Sequence, residues 1–200
     1  MFRIFIAFIF IFNLSGCGYN DIQTYDEQVN ASWSEVLNQY QRRTDLIPNL
    51  VASIKGYSSH EQEVLEAVTL ARSQANRASS DLQKTPGDEQ KLQAWQQAQA
   101  QVTRTLGQLT IISERYPQLK AQELYQNLMV QLEGSENRIA VARGRYIKAI
   151  EQYNVTIRKF PAVLTAQVMD YTPKKNYLPD DVTAVSKAPT IDFSQNANAH

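Results

Sequence analysis

Few side chains in this 200-residue sequence are of the types that perform catalysis or bind metals. There is one cysteine, Cys17, and there are two histidines, His60 and His200. A di-iron bundle requires Glu-x-x-His on two helices, and neither histidine has a glutamate three residues before it. The segment from His60 begins like a zinc-protease helix, but Val64 stands where the second histidine would be. The sequence therefore predicts no metal site and no bound cofactor.

Nucleophilic catalysis is equally unsupported. The sequence contains neither a Gly-x-Ser-x-Gly motif nor a glycine-rich phosphate-binding loop. We therefore predict that the protein is not an enzyme. The remaining enzymatic alternative is a carboxylate-based site that a folded bundle assembles from scattered glutamate, arginine and tyrosine side chains.

The cysteine lies directly after an apolar N-terminal segment. A positive start at Arg3 is followed by the apolar run Ile4 to Phe12 and then by Leu14-Ser15-Gly16-Cys17. The run is about half of the roughly 20 residues that a spanning helix needs, so residues 1–16 are predicted to be a signal peptide. Residues 14–17 resemble a bacterial lipobox, which implies that Cys17 is acylated and anchors the protein to a membrane. A short membrane anchor with a chance cysteine is the alternative.

The resemblance to a lipobox also bears on location. It implies a protein of the bacterial cell envelope that faces the periplasm. Gly18 occupies the position where an aspartate would resemble an inner-membrane retention signal, so the outer membrane is slightly favoured. Formal net charge is zero, with 20 basic and 20 acidic residues. Because nucleic-acid binding requires a basic excess on one face, no nucleic-acid partner is expected.

One long stretch determines the predicted architecture. Apolar positions between Leu124 and Phe160 recur in steps of three and four, which places them on one side of an α-helix. The predicted buried positions are Leu124, Leu128, Leu132, Ser135, Ile139, Ala142, Tyr146, Ile150, Tyr153, Ile157 and Phe160. A helix this long requires long partners, so we predict an all-α, antiparallel four-helix bundle with long helices.

Prolines divide the rest of the chain. The first helix is expected from Ile22 to Arg43, with a break and restart at residues 44–48, where Asp45 could cap a second helix. That second helix is expected to weaken near Gly56 and to fade into a solvated end over residues 73–84. Thr85 is the expected start of the third helix, whose glutamines are expected to face water.

These boundaries give four predicted segments. Residues 1–16 form the signal peptide, residues 17–23 the lipidated cysteine and a short linker, residues 24–160 the helical bundle, and residues 161–200 an irregular tail. The extended linker would reach at most about 20 Å, so the bundle would stay close to the bilayer. The tail is expected to be extended or disordered, and Tyr171, Tyr177 and Phe193 are the side chains through which it would contact the bundle.

Three motifs resemble those of the LemA family of bacterial envelope proteins. They are residues 38–51 (NQYQRRTDLIPNLV), residues 136–143 (ENRIAVAR) with Tyr153-Asn154, and the end of the chain, with Lys187-Ala188-Pro189 and Ile191-Asp192-Phe193. The resemblance covers nearly all of the chain after the signal peptide and implies a four-helix bundle held at a membrane by its N-terminus. Relatives commonly use a transmembrane N-terminus, whereas this chain has a lipobox, and the family supplies no agreed catalytic residues.

The expected function is binding rather than catalysis. The predicted partner-binding residues are Arg42, Arg43, Asp45, Glu136 and Arg138, whose simpler interpretation is helix-end and solvent-facing charge. We expect a scaffold or adaptor for an envelope protein. The family resemblance implies association with membrane zinc peptidases. The more specific expectation is therefore that the protein regulates envelope proteolysis. The alternative is a self-assembling structural protein that shapes membranes.

Overall fold

The computed structural model describes residues 16–56, 61–85 and 87–175. The predicted signal peptide up to Ser15, both histidines, Tyr177 and Phe193 lie outside the described residues. The described part contains six α-helices and no strand: α1 (Gly16–Lys55), α2 (Gln62–Lys84), α3 (Glu89–Arg115), α4 (Pro117–Lys120), α5 (Glu123–Thr156) and α6 (Ala162–Val168). The all-α class is therefore confirmed, whereas the helices described number six rather than four. None of them combines the length and apolar character needed to span a bilayer.

Helix α1 is one continuous helix of 40 residues with Pro48 inside it. The expected break at residues 44–48 is wrong, and so is the expected linker, since residues 17–23 already belong to the helix. Proline has no N–H, so the carbonyl of Thr44 loses its usual donor four residues later. Arg72 supplies a replacement by donating from Nε to this oxygen at 3.1 Å. A side chain from another helix therefore allows the helix to continue through the proline.

Helix α2 begins at Gln62 and continues to Lys84. The expected solvated end over residues 73–84 is wrong, because Ala75 and Leu82 are buried there. Helix α3 is capped by Asp88 rather than Thr85. The Asp88 carboxylate accepts hydrogen bonds from the backbone N–H groups of Gln90 and Lys91 at 2.9 and 3.1 Å.

Helix α5 carries most of the predicted buried positions. Nine of the eleven are buried or half-buried, and the exceptions are the two ends, Leu124 and Phe160. Tyr125 is buried in place of Leu124 at the start of the helix. Phe160 lies beyond the last helical residue, Thr156, where helical spacing no longer determines the direction of a side chain.

Three apolar clusters follow one another along the long helices. One joins the C-terminal part of α1 and the N-terminal part of α2 to the C-terminal part of α3 and the N-terminal part of α5. The next contains Val36, Tyr40, Leu82, Trp95, Ile139 and Ala142 from the same four helices. The third joins the beginning of α1 to the end of α5 and to α6. The clusters therefore follow one another in opposite orders along α1 and α5, and also along α2 and α3. Each of these two pairs of helices packs antiparallel.

The clusters define two regions. We call the described residues from 33 to 146 the head, where four long helices pack together, and residues 16–32 with 147–175 the stem. Aromatic rings mark the boundary, since the Trp33 ring lies 5.4 Å from that of Trp95 and 5.1 Å from that of Tyr146. The apolar cluster of the stem contains residues of α1, α5 and α6, together with Ile157 between α5 and α6 and Tyr171 after α6.

The beginning of the predicted tail packs on the stem. Tyr171 lies against its apolar cluster and hydrogen-bonds with Gln23. The Asn154 side chain donates to the Lys174 carbonyl and accepts from the Lys174 N–H, both at 2.8 Å. The Lys174 ammonium lies 2.8 Å from the Asp26 carboxylate. Helix α6 and the residues after it therefore belong to the folded structure.

Candidate functional site

The most constrained polar group in the described residues is the guanidinium of Arg43, a side chain that is 1% exposed. Its Nη1 donates to Thr103 Oγ1 and to Glu136 Oε1, both at 2.9 Å. Its Nη2 donates to the carbonyl of Gln99 at 3.1 Å and to the side-chain oxygen of Gln99 at 2.8 Å. One side chain of α1 therefore joins α3 and α5.

Two further features describe the environment of Arg43. The guanidinium lies over the ring of Tyr40, 5.0 Å from its centroid, which is a favourable cation–π geometry. Its Nε has no hydrogen-bond partner among the residues that the structure describes. The Glu136 side chain is 42% exposed, so the ion pair is buried at its arginine end and hydrated at its carboxylate end.

The neighbouring residue Thr44 connects α1 to α2. Its carbonyl accepts from Arg72, and its hydroxyl donates to the Gln41 carbonyl at 2.8 Å and lies 3.5 Å from Asn76 Oδ1. All four long helices are thus linked at one level of the head. We call this set the polar layer: Arg43, Thr44, Arg72, Asn76, Gln99, Thr103 and Glu136.

The polar layer lies between the two apolar clusters of the head. Ile47 begins the α1 contribution to one cluster, and Tyr40 ends its contribution to the other. Sliding a helix by one turn would place the Arg43 guanidinium among apolar side chains and leave it unpaired, which is strongly unfavourable. The layer therefore favours one alignment of the four helices.

The layer also explains two of the sequence motifs. The motif over residues 38–51 contains Arg43 and Thr44, and the motif over residues 136–143 begins at Glu136. The structure brings them into contact through the 2.9 Å ion pair. Both motifs thus meet within the fold, and the contact between them is an ion pair that joins α1 to α5.

The predicted partner-binding residues separate into two groups. Arg43 lies inside the head, and Glu136 is its partner, so these two serve the polar layer. Arg42, Asp45 and Arg138 are exposed on α1 and α5. The idea that Arg42 and Arg43 complement a helix end is wrong, because α1 continues to Lys55. Partner binding by the exposed residues stays a prediction.

Sequence reasoning missed the role of Gln99. The glutamines of α3 were expected to face water, yet Gln99 is buried and binds Arg43 through both its backbone and its side chain. One signal was available. Counting three and four residues back from Val102 and Thr103 places Gln99 on the same face as Val102, next to the buried Trp95.

The N-terminal end of α1 is shaped by a close helix contact. A Cβ atom at Gly18 would lie 2.7 Å from the Cα of Ala162 on α6, closer than atoms can approach without displacement. Glycine at this position therefore allows α6 to pack directly on the first turns of α1. Cys17, the predicted acylation site, is the preceding residue of the same helix. Its lipidation stays a prediction.

An open groove lies at the opposite end of the molecule, where α1 ends and α2 begins. Its volume is about 710 Å³. The lining residues are Val51, Lys55, Gln62, Leu65, Glu66, Thr69, Leu70 and Ser73. The lining mixes apolar side chains with one lysine and one glutamate. Within the described residues, no group of three or more histidine, cysteine, aspartate or glutamate side chains could hold a metal ion.

Three phenols in the described part of the chain, those of Tyr125, Tyr146 and Tyr153, have raised pKa values. Burial raises the pKa of Tyr146, and it is also the main cause of the raised pKa values of Tyr125 and Tyr153. At Tyr153 the negative charge of Asp26 adds to the effect of burial. These tyrosines therefore remain neutral above their usual range, which suits packing rather than acid–base chemistry near neutral pH.

Comparison with known proteins identifies the family. Residues 32–193 match the LemA family, so the chain belongs to it, as the motifs predicted. The magnetosome protein MamQ 2 of Paramagnetospirillum magneticum is 27% identical over 158 residues, which cover 72% of this chain and 58% of that protein. Protein LemA of Metamycoplasma hominis is 28% identical over 151 residues, which cover 76% of this chain and 64% of that protein. The chain thus spans less than two thirds of the length of either relative.

Proposed function

We propose that this member of the LemA family is a non-enzymatic, lipid-anchored scaffold or adaptor of the bacterial cell envelope. Acylation of Cys17 would hold it at a membrane, with the folded part facing the periplasm. Family membership supports a membrane-associated structural protein. The apolar run at residues 4–12 and the sequence Leu14-Ser15-Gly16-Cys17 support the anchor.

The observation that carries the proposal is the continuity of α1. One helix leads from Cys17 through the stem to the polar layer of the head. At 1.5 Å per residue, Arg43 lies about 40 Å along the helix from Cys17. With no extended linker, the stem would hold the head at a defined distance from the anchor. The exposed charges Arg42, Asp45 and Arg138 would then be presented away from the lipid surface.

A membrane protein is the partner that this arrangement suits best. Proteins confined to the same membrane meet at high effective concentration, so weak charged contacts suffice for binding. A membrane zinc peptidase is the specific partner class that we propose, which would make this chain a regulator of envelope proteolysis. The periplasmic side and the outer membrane are parts of the same proposal.

A second candidate function has its own support. The similarity to MamQ, a protein named for the magnetosome, favours a structural protein that self-assembles at a membrane. Such a protein would contact further copies of itself instead of a distinct partner. Sedimentation of the detergent-solubilised chain separates the two, because only the self-assembling protein forms large homo-oligomers.

The adaptor proposal is tested by crosslinking in intact cells. Arg42→Glu combined with Arg138→Glu reverses two exposed charges beside the polar layer. We expect anchoring and helicity to be unchanged and crosslinking to an envelope protein to fall roughly tenfold, the change that about 1.4 kcal/mol produces. The matched control is Arg77→Glu with Arg145→Glu, which makes the same charge change at exposed positions on α2 and α5.

The outcomes distinguish the elements of the proposal. Wild-type crosslinking by the first double variant would mean that binding uses another surface. Unfolding would make Arg42 and Arg138 structural. An unmodified Cys17 on membrane-bound protein, seen by intact-mass analysis, would replace the lipid anchor with a different one. Turnover of a substrate by the purified chain alone would contradict the non-enzymatic role.

A further inference from the structure

Helix α6 has apolar side chains on two opposite sides. Ala162 and Ala166 are buried against the stem. Leu164 and Val168, one turn apart, point away from it and are exposed. Phe160, just before the helix, and Met169, just after it, are exposed as well. We call these four residues, Phe160, Leu164, Val168 and Met169, the outer face of α6.

The side chains of this face are strongly exposed to solvent. Phe160 is 73% exposed and Val168 is 84% exposed. Single exposed apolar residues are ordinary on protein surfaces, but adjacent ones form a patch, and such patches commonly mark interaction sites. In the described residues, no other element covers this face. Its position in the molecule indicates what does.

The outer face lies at the anchored end of the chain. Helix α6 touches α1 at Gly18, where a Cβ atom would lie 2.7 Å from Ala162. The described structure begins two residues earlier, at Gly16, and the sequence before it contains the apolar run Ile4 to Phe12. A chain held in a membrane by this end brings α6 to the lipid surface.

Charge at the edge of the face is consistent with lipid. Arg158 and Lys159 are exposed immediately before Phe160, and Asp170 after Met169 is the acidic residue of this stretch. Apolar side chains flanked by basic ones are typical of segments that lie in the interface of a bilayer with anionic headgroups. The helix of seven residues is too short to enter the bilayer by itself, so it would lie on the surface.

We propose that the outer face of α6 binds the lipid bilayer and forms a second membrane contact beside the N-terminal anchor. This proposal rests on the membrane anchoring proposed above. Two contacts on one rigid stem fix its orientation, because an acyl chain alone leaves the attached protein free to tilt. The contact would therefore set the direction in which α1 carries the head.

The test uses the full chain, purified with its anchor and reconstituted into vesicles of phosphatidylethanolamine and anionic phosphatidylglycerol. Val168→Cys carries an environment-sensitive fluorophore, and Leu164→Cys provides a second probe position on the same face. The matched control is Val130→Cys, which is 68% exposed on α5 in the head. The chain without an added cysteine reports any labelling of Cys17. Flotation of the vesicles measures anchoring separately.

We expect emission from position 168 to shift to the blue and to be largely lost when the lipids carry nitroxide groups. Emission from position 130 should stay that of a probe in water. If the chain floats with the vesicles while the probes at positions 168 and 164 both remain in water, the α6 contact is overturned and the anchor is left intact. A chain that does not float would overturn both. A shift at position 168 without nitroxide quenching would show protein contact, such as a second copy, and would also overturn the proposal.

Discussion

The head and the stem hold their helices together in different ways. In the head, Arg43 bonds to Gln99, Thr103 and Glu136 across helices, between clusters of large apolar side chains. In the stem, small residues allow close approach, as at Gly18 against Ala162, while Ala149 and Ala166 are buried nearby. Directional hydrogen bonds specify how helices align, whereas small residues mainly specify how closely they pack.

The difference corresponds to the two roles that we propose. A surface that presents charges to a partner must keep its geometry, and hydrogen-bonded alignment provides this in the head. The polar contacts of the stem, such as those of Asp26 and Asn154 with Lys174, secure the segment after α6, and the outward side of the stem is apolar at α6. The comparison predicts that disruption of the polar layer affects the whole head, while disruption of the stem contact stays local.

The largest effect is expected from Arg43→Ala. It removes four hydrogen bonds and leaves the buried side-chain oxygen of Gln99 without the donor that Arg43 supplies. Breaking a buried ion pair costs about 3–5 kcal/mol, and we expect the lower end because Glu136 is half-exposed. Urea unfolding followed by circular dichroism measures the loss.

The control for this prediction is Arg42→Ala, one residue away on the exposed side of α1. Its effect should be about 0.5 kcal/mol or less. Arg43→Met retains much of the apolar volume and should still show most of the stability loss seen for Arg43→Ala, because the buried side-chain oxygen of Gln99 again loses its donor. Similar effects from Arg42→Ala and Arg43→Ala would mean that the polar layer does not stabilise the head.

The regular features of this fold could be predicted from sequence. Spacing of three and four from Leu128 to Ile157 placed eight positions of α5 and its C-cap, Ile157, correctly, since helix geometry is local and repeats. The prediction that prolines divide the chain holds at Pro117, which follows the end of α3 and begins α4. The same reasoning failed at Leu124 and Phe160, where the helix begins or has already ended.

The sequence did not predict the contacts that Pro48 and Arg43 depend on. Pro48 was expected to break the helix, and this prediction was wrong. The free-energy cost of a proline inside α1 depends on Arg72, 24 positions later, which donates to the carbonyl of Thr44. Arg43 was assigned to the surface, as most arginines are, because its burial depends on Gln99 and Glu136 from two other helices. Such pairings over long sequence separations leave no periodic signal in a single sequence.

The stem should respond locally to Gly18→Val. The new side chain collides with Ala162 and should displace α6 at a cost of about 1–3 kcal/mol, typical of overpacking. Hydrogen exchange should become faster in α6 and at the start of α1, with little change in the head. The control is Gly144→Ala, where nothing lies within 4 Å of the new Cβ and a gain of about 0.5–1 kcal/mol is expected. Faster exchange throughout the head would contradict the division into two regions.

The smallest expected effect concerns the hydrogen bond that links α2 to α1 in the head. Arg72→Ala leaves the Thr44 carbonyl without its donor and should cost about 1 kcal/mol, since water can partly replace a half-exposed side chain. In a Pro48→Ala background, residue 48 regains an N–H that can bond to the same carbonyl. There Arg72→Ala should cost much less, which gives a coupling of roughly 0.5–1 kcal/mol in a double-mutant cycle.

The matched control cycle uses Arg77→Ala in place of Arg72→Ala. Arg77 is an exposed arginine of the same helix. The two substitutions of this control cycle should be additive, because nothing in the structure links Arg77 to Thr44. Additivity in the Arg72 cycle as well would mean that α1 tolerates Pro48 for another reason, and the link between α1 and α2 in the polar layer would lose its explanation. Coupling confined to Arg72 would show that one hydrogen bond from α2 keeps α1 continuous, and with it the rigid path from the stem to the head.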